Sequence, residues 1–315
     1  MTQPTPDQVK LGGLLDARDS LDTHVDRVLA VQSGQIVPVP TGLTDLDKIL
    51  SGGMQNGTLN TIGGVTGIGK TAAMATIFRN IAMRGQVPVF ISLEQSTAQM
   101  INRLVASMSQ IPLDLFDIKG GMTDVDMTNW SDSVGKLERL KFYIDDTPGQ
   151  SIKRVRQLIT KLKADEDIDV AVIDYLQIVR PENTNKMRYL EIDEVLRELA
   201  EMAKELDIPV LMGAQLSRDI MRRSDKTPNL ADIRESGNIE QYSYSITFLH
   251  REDYWDPVTI NRGTAQLIVA KHRQGKTGTA QAIFMGQYSR LENAILPHFT
   301  PPHTPAAPPP ATVSI

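Results

Sequence analysis

The stretch Gly63-Gly64-Val65-Thr66-Gly67-Ile68-Gly69-Lys70-Thr71 decides the fold of this chain. The spacing G-x-x-x-x-G-K-[ST], the phosphate-binding loop of many nucleotide triphosphatases, is met by four of these residues: Gly64, Gly69, Lys70 and Thr71. Glycines let the backbone bend tightly and approach phosphate oxygens closely. The N–H groups of such a loop then point inward and form a nest for an anion. The stretch therefore predicts a nucleotide triphosphate site.

The flanking sequence supports this interpretation. Residues 58–62 are predicted to form a short strand, and residues 71–82, rich in Ala, Met and Ile, a helix. A helix that starts near Lys70 adds its positive dipole end to the phosphate site. The motif assigns Lys70 to the β- and γ-phosphates and the Thr71 hydroxyl to Mg²⁺. We expect the nucleotide to be bound by Gly64, Gly67, Ile68, Gly69, Lys70, Thr71 and Ala72. The alternative, a glycine-rich turn in another α/β protein, fits the full spacing and the flanks less well.

Composition limits the class of protein. The 315 residues carry a net charge of −5 and no cysteine, so neither a disulfide framework nor a cysteine metal site is expected. No run of about 18 apolar residues predicts a membrane span, and the polar N-terminus lacks the apolar core of a secretory signal. We expect a cytoplasmic protein with no membrane contact. The modest negative charge still allows a local basic lining for nucleic acid.

Strands and helices alternate along most of the chain. Continuous apolar strands are predicted at residues 88–93, 169–175 and 209–213, and helices at 97–108, 151–163 and 189–206. Further strands are predicted at 141–145, 244–249, 265–270 and 278–285, whereas 113–133 is expected to hold short helices and loops. This order predicts an α/β fold with a mostly parallel twisted sheet flanked by helices.

We divide the chain into four segments: a disordered tail at 1–13, a linker helix and linker at 14–40, an ATPase domain at 41–295 and a disordered Pro-rich tail at 296–315. Apolar residues recur at helical spacing between residues 14 and 31, which predicts one amphipathic helix. This helix has no core of its own. It docks either on its own domain or on a neighbouring subunit, and the pattern does not decide between the two.

Three polar side chains follow predicted strands: Glu94, Asp174 and Gln215. Ligands of open α/β sheets bind at the carboxyl ends of the strands, where the phosphate loop also lies. Asp174 is placed to hold Mg²⁺, largely through water. Glu94 is the candidate general base that activates the attacking water, and Gln215 a candidate sensor of the γ-phosphate. Their simpler alternatives are a turn-capping acid, a solvated acid and a structural amide.

Taken together, these residues carry a resemblance. From about residue 41 to 293 the chain resembles the ATPase domain of bacterial replicative DNA helicases of the DnaB type, which belong to the RecA-like hexameric ring helicases. The matching stretches occur in order along the chain: Thr41-Gly42-Leu43-Thr44-Asp45-Leu46-Asp47, Gly69-Lys70-Thr71, Ser92-Leu93-Glu94, Ile173-Asp174-Tyr175-Leu176-Gln177, Gln215-Leu216-Ser217-Arg218, the segment from Asp232 to Gln241, and Lys271-His272-Arg273-Gln274-Gly275.

The resemblance implies a RecA-like P-loop NTPase fold that uses ATP and Mg²⁺, and an enzyme that unwinds DNA during replication, 5′ to 3′. It implies a homo-oligomer, a hexameric ring, with single-stranded DNA in its channel. In this family the residue at Glu94 is the catalytic base, and Lys271 and Arg273 reach into the ATP site of the neighbouring subunit. Without the resemblance, Lys271 and Arg273 would be assigned to a solvated strand end. The residues implied to grip the DNA backbone are Arg234, Glu235 and Gly237.

The N-terminal part departs from the family. DnaB-type proteins usually carry a helical collar that recruits primase, and only about forty residues precede the ATPase domain here. We therefore do not expect primase as a partner, whereas a helicase loader remains a candidate. Two alternatives to a helicase stay open: a RecA-like ATPase for recombination or signalling, and a collar-less relative that regulates or loads another helicase.

Overall fold

The fold is built on one mixed β-sheet. The computed structural model describes residues 17–176, 179, 188–233 and 236–294. Within this part of the chain, nine strands form the sheet in the order β3-β2-β4-β5-β1-β6-β7-β8-β9. In chain order the strands are β1 (Leu59–Gly64), β2 (Pro88–Ser92), β3 (Tyr143–Asp145), β4 (Val170–Asp174), β5 (Val210–Gln215), β6 (Ser245–His250), β7 (Thr264–His272), β8 (Gly278–Met285) and β9 (Arg290–Asn293).

The sheet has a parallel part and an antiparallel part. Strands β1 to β6 run parallel to one another. Strands β7, β8 and β9 extend the sheet as an antiparallel edge that begins beside β6. Every residue of β1, β2 and β4 is buried, as expected for central strands that are covered on both faces.

Two groups of helices cover the sheet. The helices of the described chain are α1 (Ala17–Gln32), α2 (Thr44–Ile49), α3 (Lys70–Met83), α4 (Thr97–Ser109), α5 (Asp124–Leu137), α6 (Ile152–Glu166), α7 (Arg188–Leu206), α8 (Ser236–Tyr242) and α9 (Glu252–Trp255). Helix α3 packs on β1, β2, β4 and β9 and is joined by α4, which packs on α5. Helix α7 packs on β1 and β5 between α6 and α8. Among the helices described, none combines the length and apolar character that crossing a membrane requires.

Local sequence explains where several helices begin. The Ser96 hydroxyl accepts from the N–H of Gln99, whose side chain accepts from the Ser96 N–H, so a capping box starts α4. Thr123 and Asp126 start α5 in the same way. At the centre of the core, the fully buried Phe78 of α3 meets Phe90 of β2 edge to face, with ring centroids 5.5 Å apart.

The structure corrects the sequence-based predictions in two places. Residues 124–137, within and beyond the region predicted to be short helices and loops, form the continuous helix α5. Strand β9 was not predicted, because a four-residue strand with only Leu291 buried carries almost no periodic signal. The helix predicted between residues 14 and 31 is present as α1, and its role as a linker stays a prediction. Residues 1–16 and 295–315, which include both predicted tails, lie outside the described residues.

Candidate active site

Parallel pairing brings the predicted side chains to one edge of the sheet. Gly64 at the end of β1 pairs with Gln215 at the end of β5, and Ser92 of β2 pairs with Asp174 of β4. Glu94 follows β2 by two residues. Together they border a cavity of about 540 Å³. Its lining consists of Thr66, Gly67, Gly69, Lys70, Thr71, Ala72, Glu94, Gln95, Arg103, Asp174, Tyr175, Gln215, Arg218, Phe284, Gly286 and Ser289.

The phosphate loop needs glycine at two of its positions, as the sequence pattern predicts. Gly69 has φ +111°, and a Cβ at this position would lie 2.7 Å from the Phe284 ring. A Cβ on Gly64 would lie 2.8 Å from the Ile68 side chain. Glycine is therefore required at both positions, for conformation at one and for space at both. Lys70 follows directly as the first residue of α3, so the loop ends at a helix N-terminus, as an anion site requires.

The ammonium group of Lys70 is held over the phosphate loop by two backbone carbonyls of that loop. Its Nζ donates to the carbonyl oxygens of Gly64 at 2.9 Å and Val65 at 3.3 Å. Burial lowers the pKa of Lys70, and the charges of Asp174 and Glu94 oppose this shift. A phosphate would offer this ammonium group an anionic acceptor in place of neutral carbonyls, and such charge-assisted bonds are the stronger kind.

Thr71 and Asp174 form the predicted metal-binding pair. The Thr71 hydroxyl donates to Asp174 Oδ2 at 2.6 Å, and Asp174 is only 3% exposed. Burial raises the pKa of Asp174, whereas the Thr71 hydrogen bond and the charge of Lys70 lower it. No group of three or more His, Asp or Glu side chains forms a ready metal cage among the described residues. One carboxylate and one hydroxyl suit Mg²⁺, which usually combines one or two protein ligands with substrate phosphates and water.

Glu94 and Gln215 lie on the wall of the cavity. Glu94 is exposed to solvent there, which is compatible with its predicted role as general base. Gln215 Nε2 donates to Thr66 Oγ1 at 2.6 Å, so its amide touches the phosphate loop directly. This contact links the end of β5 to the loop.

Several residues of the site were missed by sequence reasoning. Arg103 of α4 lines the cavity, with Nε donating to Gln95 at 2.7 Å and a terminal nitrogen donating to Ser289 at 2.8 Å. Arg251 donates to the Ile68 carbonyl at 3.2 Å and lies 3.8 Å over the Phe284 ring. No local pattern marks these residues, since Arg103 reaches Ser289 and Arg251 reaches Ile68 across more than 180 residues of sequence.

Lys271 and Arg273 do not border this cavity. Lys271 donates to the carbonyl of Glu240, and Arg273 to that of Gln241, at the end of α8. Because β7 is antiparallel to β6, its last residue, His272, pairs with Ser245 at the start of β6, whereas Leu249 near the end of β6 lies beside the phosphate loop. Four residue steps of about 3.3 Å separate the two ends, which is about 13 Å. Lys271 and Arg273 therefore lie at the end of β7 that is remote from the phosphate loop.

The predicted DNA-binding segment is only partly described. Arg234 and Glu235 lie outside the described residues, and Gly237 is exposed in the first turn of α8. Upstream, Arg223 pairs with Asp232 at 3.0 Å, and Lys226 donates to the Met221 carbonyl at 2.6 Å. Both cations thus serve local structure.

Sequence comparison identifies the family to which the chain is similar. Residues 38–293 match the family of the DnaB-like helicase C terminal domain. The replicative DNA helicase DnaC of Bacillus subtilis (strain 168) is 35% identical over 264 residues, which are 83% of this chain and 58% of that protein. The replicative DNA helicase DnaB of Geobacillus stearothermophilus is 34% identical over 286 residues, 90% of this chain and 63% of that protein. The chain thus spans less than two thirds of the length of either relative.

Solved structures agree with the sequence comparison. The ATPase domain of G40P has a TM-score of 0.83 at 30% identity, over 89% of this chain and 100% of that chain. A DnaB-like replicative helicase, solved to describe its interactions with primase, gives the same TM-score and identity over 89% of this chain and 68% of its own. The predicted RecA-like α/β fold is thereby confirmed. The chain belongs to the family of DnaB-like helicase C-terminal domains.

Proposed function

We propose that this protein is an ATP-driven DNA helicase that assembles into a homo-oligomeric ring, with six subunits as the resemblance implies. In this proposal the ring translocates along single-stranded DNA in the cytoplasm, 5′ to 3′, and separates the duplex during replication. The relatives named above are replicative helicases, which favours this function over recombination or signalling.

Within one subunit, we assign a role to each polar group that the sequence predicts at the cavity. The loop N–H groups and Lys70 bind the phosphates of ATP, and Thr71 with Asp174 holds Mg²⁺. The metal ion would neutralise charge on the β- and γ-phosphates. Glu94 accepts a proton from the attacking water, and Gln215 follows the state of the γ-phosphate through its contact with Thr66.

The single observation that supports a ring assembly is that Arg273 does not border the nucleotide cavity of its own subunit. An arginine that stabilises phosphoryl transfer must reach the transferred group. Arg273 follows the end of β7 that pairs with Ser245, and Ser245 is about 13 Å along β6 from Leu249 beside the phosphate loop, so we infer that Arg273 serves the cavity of another copy. Head-to-tail contacts of this kind join unlike surfaces, and they generate a ring when the rotation closes.

The remaining partners rest on the family resemblance. Arg234, Glu235 and Gly237 are proposed to contact the backbone of single-stranded DNA without reading its sequence. A helicase loader is a candidate partner. Primase is named with one of the structural neighbours, and for this chain it stays outside the proposal.

Mixed assemblies test the proposal directly. Arg273→Ala keeps an intact cavity but lacks the cation, and Lys70→Ala keeps the cation but lacks a working cavity. Each variant alone is expected to be inactive in a forked-duplex unwinding assay and in DNA-stimulated ATP hydrolysis. Equal co-assembly should restore ATP hydrolysis at about one quarter of the interfaces, because a Lys70→Ala subunit supplies Arg273 to an Arg273→Ala cavity.

The matched control is Lys276→Ala, an exposed cation in the turn just after Arg273. It should behave as the unaltered protein. If the mixture stays as inactive as its components, or if Arg273→Ala alone hydrolyses ATP normally, Arg273 does not act in trans and the ring proposal fails.

A further inference from the structure

A second cavity lies away from the nucleotide site. It has a volume of about 350 Å³ and lies between the end of α3, α4, α5 and β9. It shares no lining residue with the nucleotide cavity. Three cations border it: Arg79 of α3, Lys136 of α5 and Arg290 of β9. Lys136 is exposed, whereas Arg79 is only 7% exposed.

The two arginines share one backbone acceptor. Arg79 donates to the Ser107 carbonyl at 3.3 Å, and Arg290 donates to the same oxygen at 2.7 Å. The Nε atoms of both are buried and have no hydrogen-bond partner within the described part of the chain. A buried donor without an acceptor is costly, and for a charged group the cost is larger.

The local charge is also unbalanced. Arg290 is paired with Glu292. Burial and then the neighbouring charge of Arg290 lower the pKa of Arg79 to about 10, with Glu292 opposing. The described residues that line the cavity include three cations and no carboxylate, and Glu292, outside this lining, is engaged by Arg290. An anion in the cavity would balance this charge.

We propose that this cavity binds a small molecule through a phosphate group. A phosphate offers several strong acceptors, which the crowded arginines and Lys136 need. The volume lies within the range of about 300–1,000 Å³ that small-molecule sites occupy. Met83 and Met108 supply apolar wall for the rest of such a ligand.

The position of the cavity connects it to the first site through α3 and β9. Nine residues of α3 separate Arg79 from Lys70, which is about 14 Å along the helix. Arg290 also follows Ser289, the hydroxyl that accepts from Arg103 at the nucleotide cavity. The binding itself does not depend on the proposed helicase function.

The experiment uses inorganic phosphate as the probe, titrated calorimetrically into the protein. The nucleotide cavity is first saturated with Mg²⁺ and a non-hydrolysable ATP analogue, so that phosphate cannot enter it. We expect one phosphate per chain under these conditions. Arg79→Gln should weaken this binding about tenfold, since it removes a charge-assisted contact.

Two further variants keep the test decisive. Lys136→Gln, at the exposed rim, should weaken phosphate binding several-fold without endangering the fold. Arg84→Gln, an exposed cation at the end of the same helix and outside the cavity lining, should bind as the unaltered protein does. Absence of phosphate binding, or equal binding by Lys136→Gln and the unaltered protein, would overturn the proposal. A normal ATP-analogue titration in each variant separates this result from failure of the nucleotide site.

Discussion

Asp174→Asn is expected to make the nucleotide-free protein more stable while it removes activity. Asp174 is buried at the end of β4, and burial raises its pKa above the ordinary value of 3.8. The raised pKa means that the folded protein disfavours the charged carboxylate, even with Thr71 and Lys70 beside it. Asparagine has nearly the same shape and can still accept the Thr71 hydrogen bond.

The size of the effect follows from opposing contributions. Burying a charge costs several kcal/mol, and part of this is recovered through Lys70. The hydrogen bond to a neutral acceptor is weaker than the bond to a carboxylate by about 1 kcal/mol. We expect a net gain of about 1–2 kcal/mol, which corresponds to a Tm increase of about 2–6 °C for a chain of this size.

The pH dependence has a definite sign. Between 3.8 and its raised folded pKa, Asp174 binds more protons in the folded state than in the unfolded state. Its contribution therefore lowers the free energy of unfolding as pH rises through this window. Asp174→Asn should lack this slope, and its advantage should be complete only above the folded pKa.

Urea unfolding without nucleotide, at several pH values, measures both effects. Mg²⁺ with a non-hydrolysable ATP analogue at about 100 times Kd should stabilise the unaltered protein by about 2.7 kcal/mol and the variant by less. Asp165→Asn, an exposed acid on α6, serves as the control and should change stability by less than about 0.5 kcal/mol. A less stable Asp174→Asn protein, or one with an unchanged pH slope, would refute the reasoning.

Three further changes probe other parts of the site. Glu94→Gln should lower kcat for ATP hydrolysis about 10²–10⁴-fold and leave nucleotide affinity nearly unchanged; steady-state kinetics and a nucleotide titration check this, and normal turnover would exclude Glu94 as the base. Gly69→Ala should cost about 1–3 kcal/mol in urea unfolding, because a Cβ at φ +111° also meets the Phe284 ring. Arg103→Ala should cost about 1–3 kcal/mol through its lost bonds to Gln95 and Ser289, and unchanged stability would show that these bonds contribute nothing.

The parts of the fold that sequence predicts well are those set by local physics. In the predicted strand at 169–175, residues 170–173 are all apolar because both faces of the strand are buried, and Asp174 follows them at the carboxyl end of β4. When such strands are parallel neighbours, their carboxyl ends lie along the same side of the sheet. The sequence alone therefore suffices to place Asp174, Glu94 and Gln215 beside the phosphate loop.

The parts that escape prediction depend on contacts between distant segments. Phe284 lies against Gly69, and Ser289 anchors Arg103, only because the unpredicted β9 packs on α3 and the turn at Gly286–Tyr288 packs on α4. Neither residue belongs to a motif with fixed spacing. The same holds for Arg79 and Arg290, which both donate to the Ser107 carbonyl. No sequence pattern near either arginine predicts that the other lies close to it.

The electrostatics of the cavity suggest why a DnaB-like domain would be built this way. The partly buried Lys70 ammonium group donates to the neutral carbonyls of Gly64 and Val65, and Asp174 is buried at a cost. Phosphates and Mg²⁺ would relieve both, so part of the binding free energy is already stored as destabilisation of the free protein. In the proposed ring, Arg273 would exchange its hydrogen bond to the Gln241 carbonyl for a contact with the nucleotide of the neighbouring subunit. Because Gln241 lies in the last turn of α8, the helix that follows Arg234 and Glu235 in sequence, this exchange would couple the nucleotide at one interface to the proposed DNA-binding segment of the same subunit.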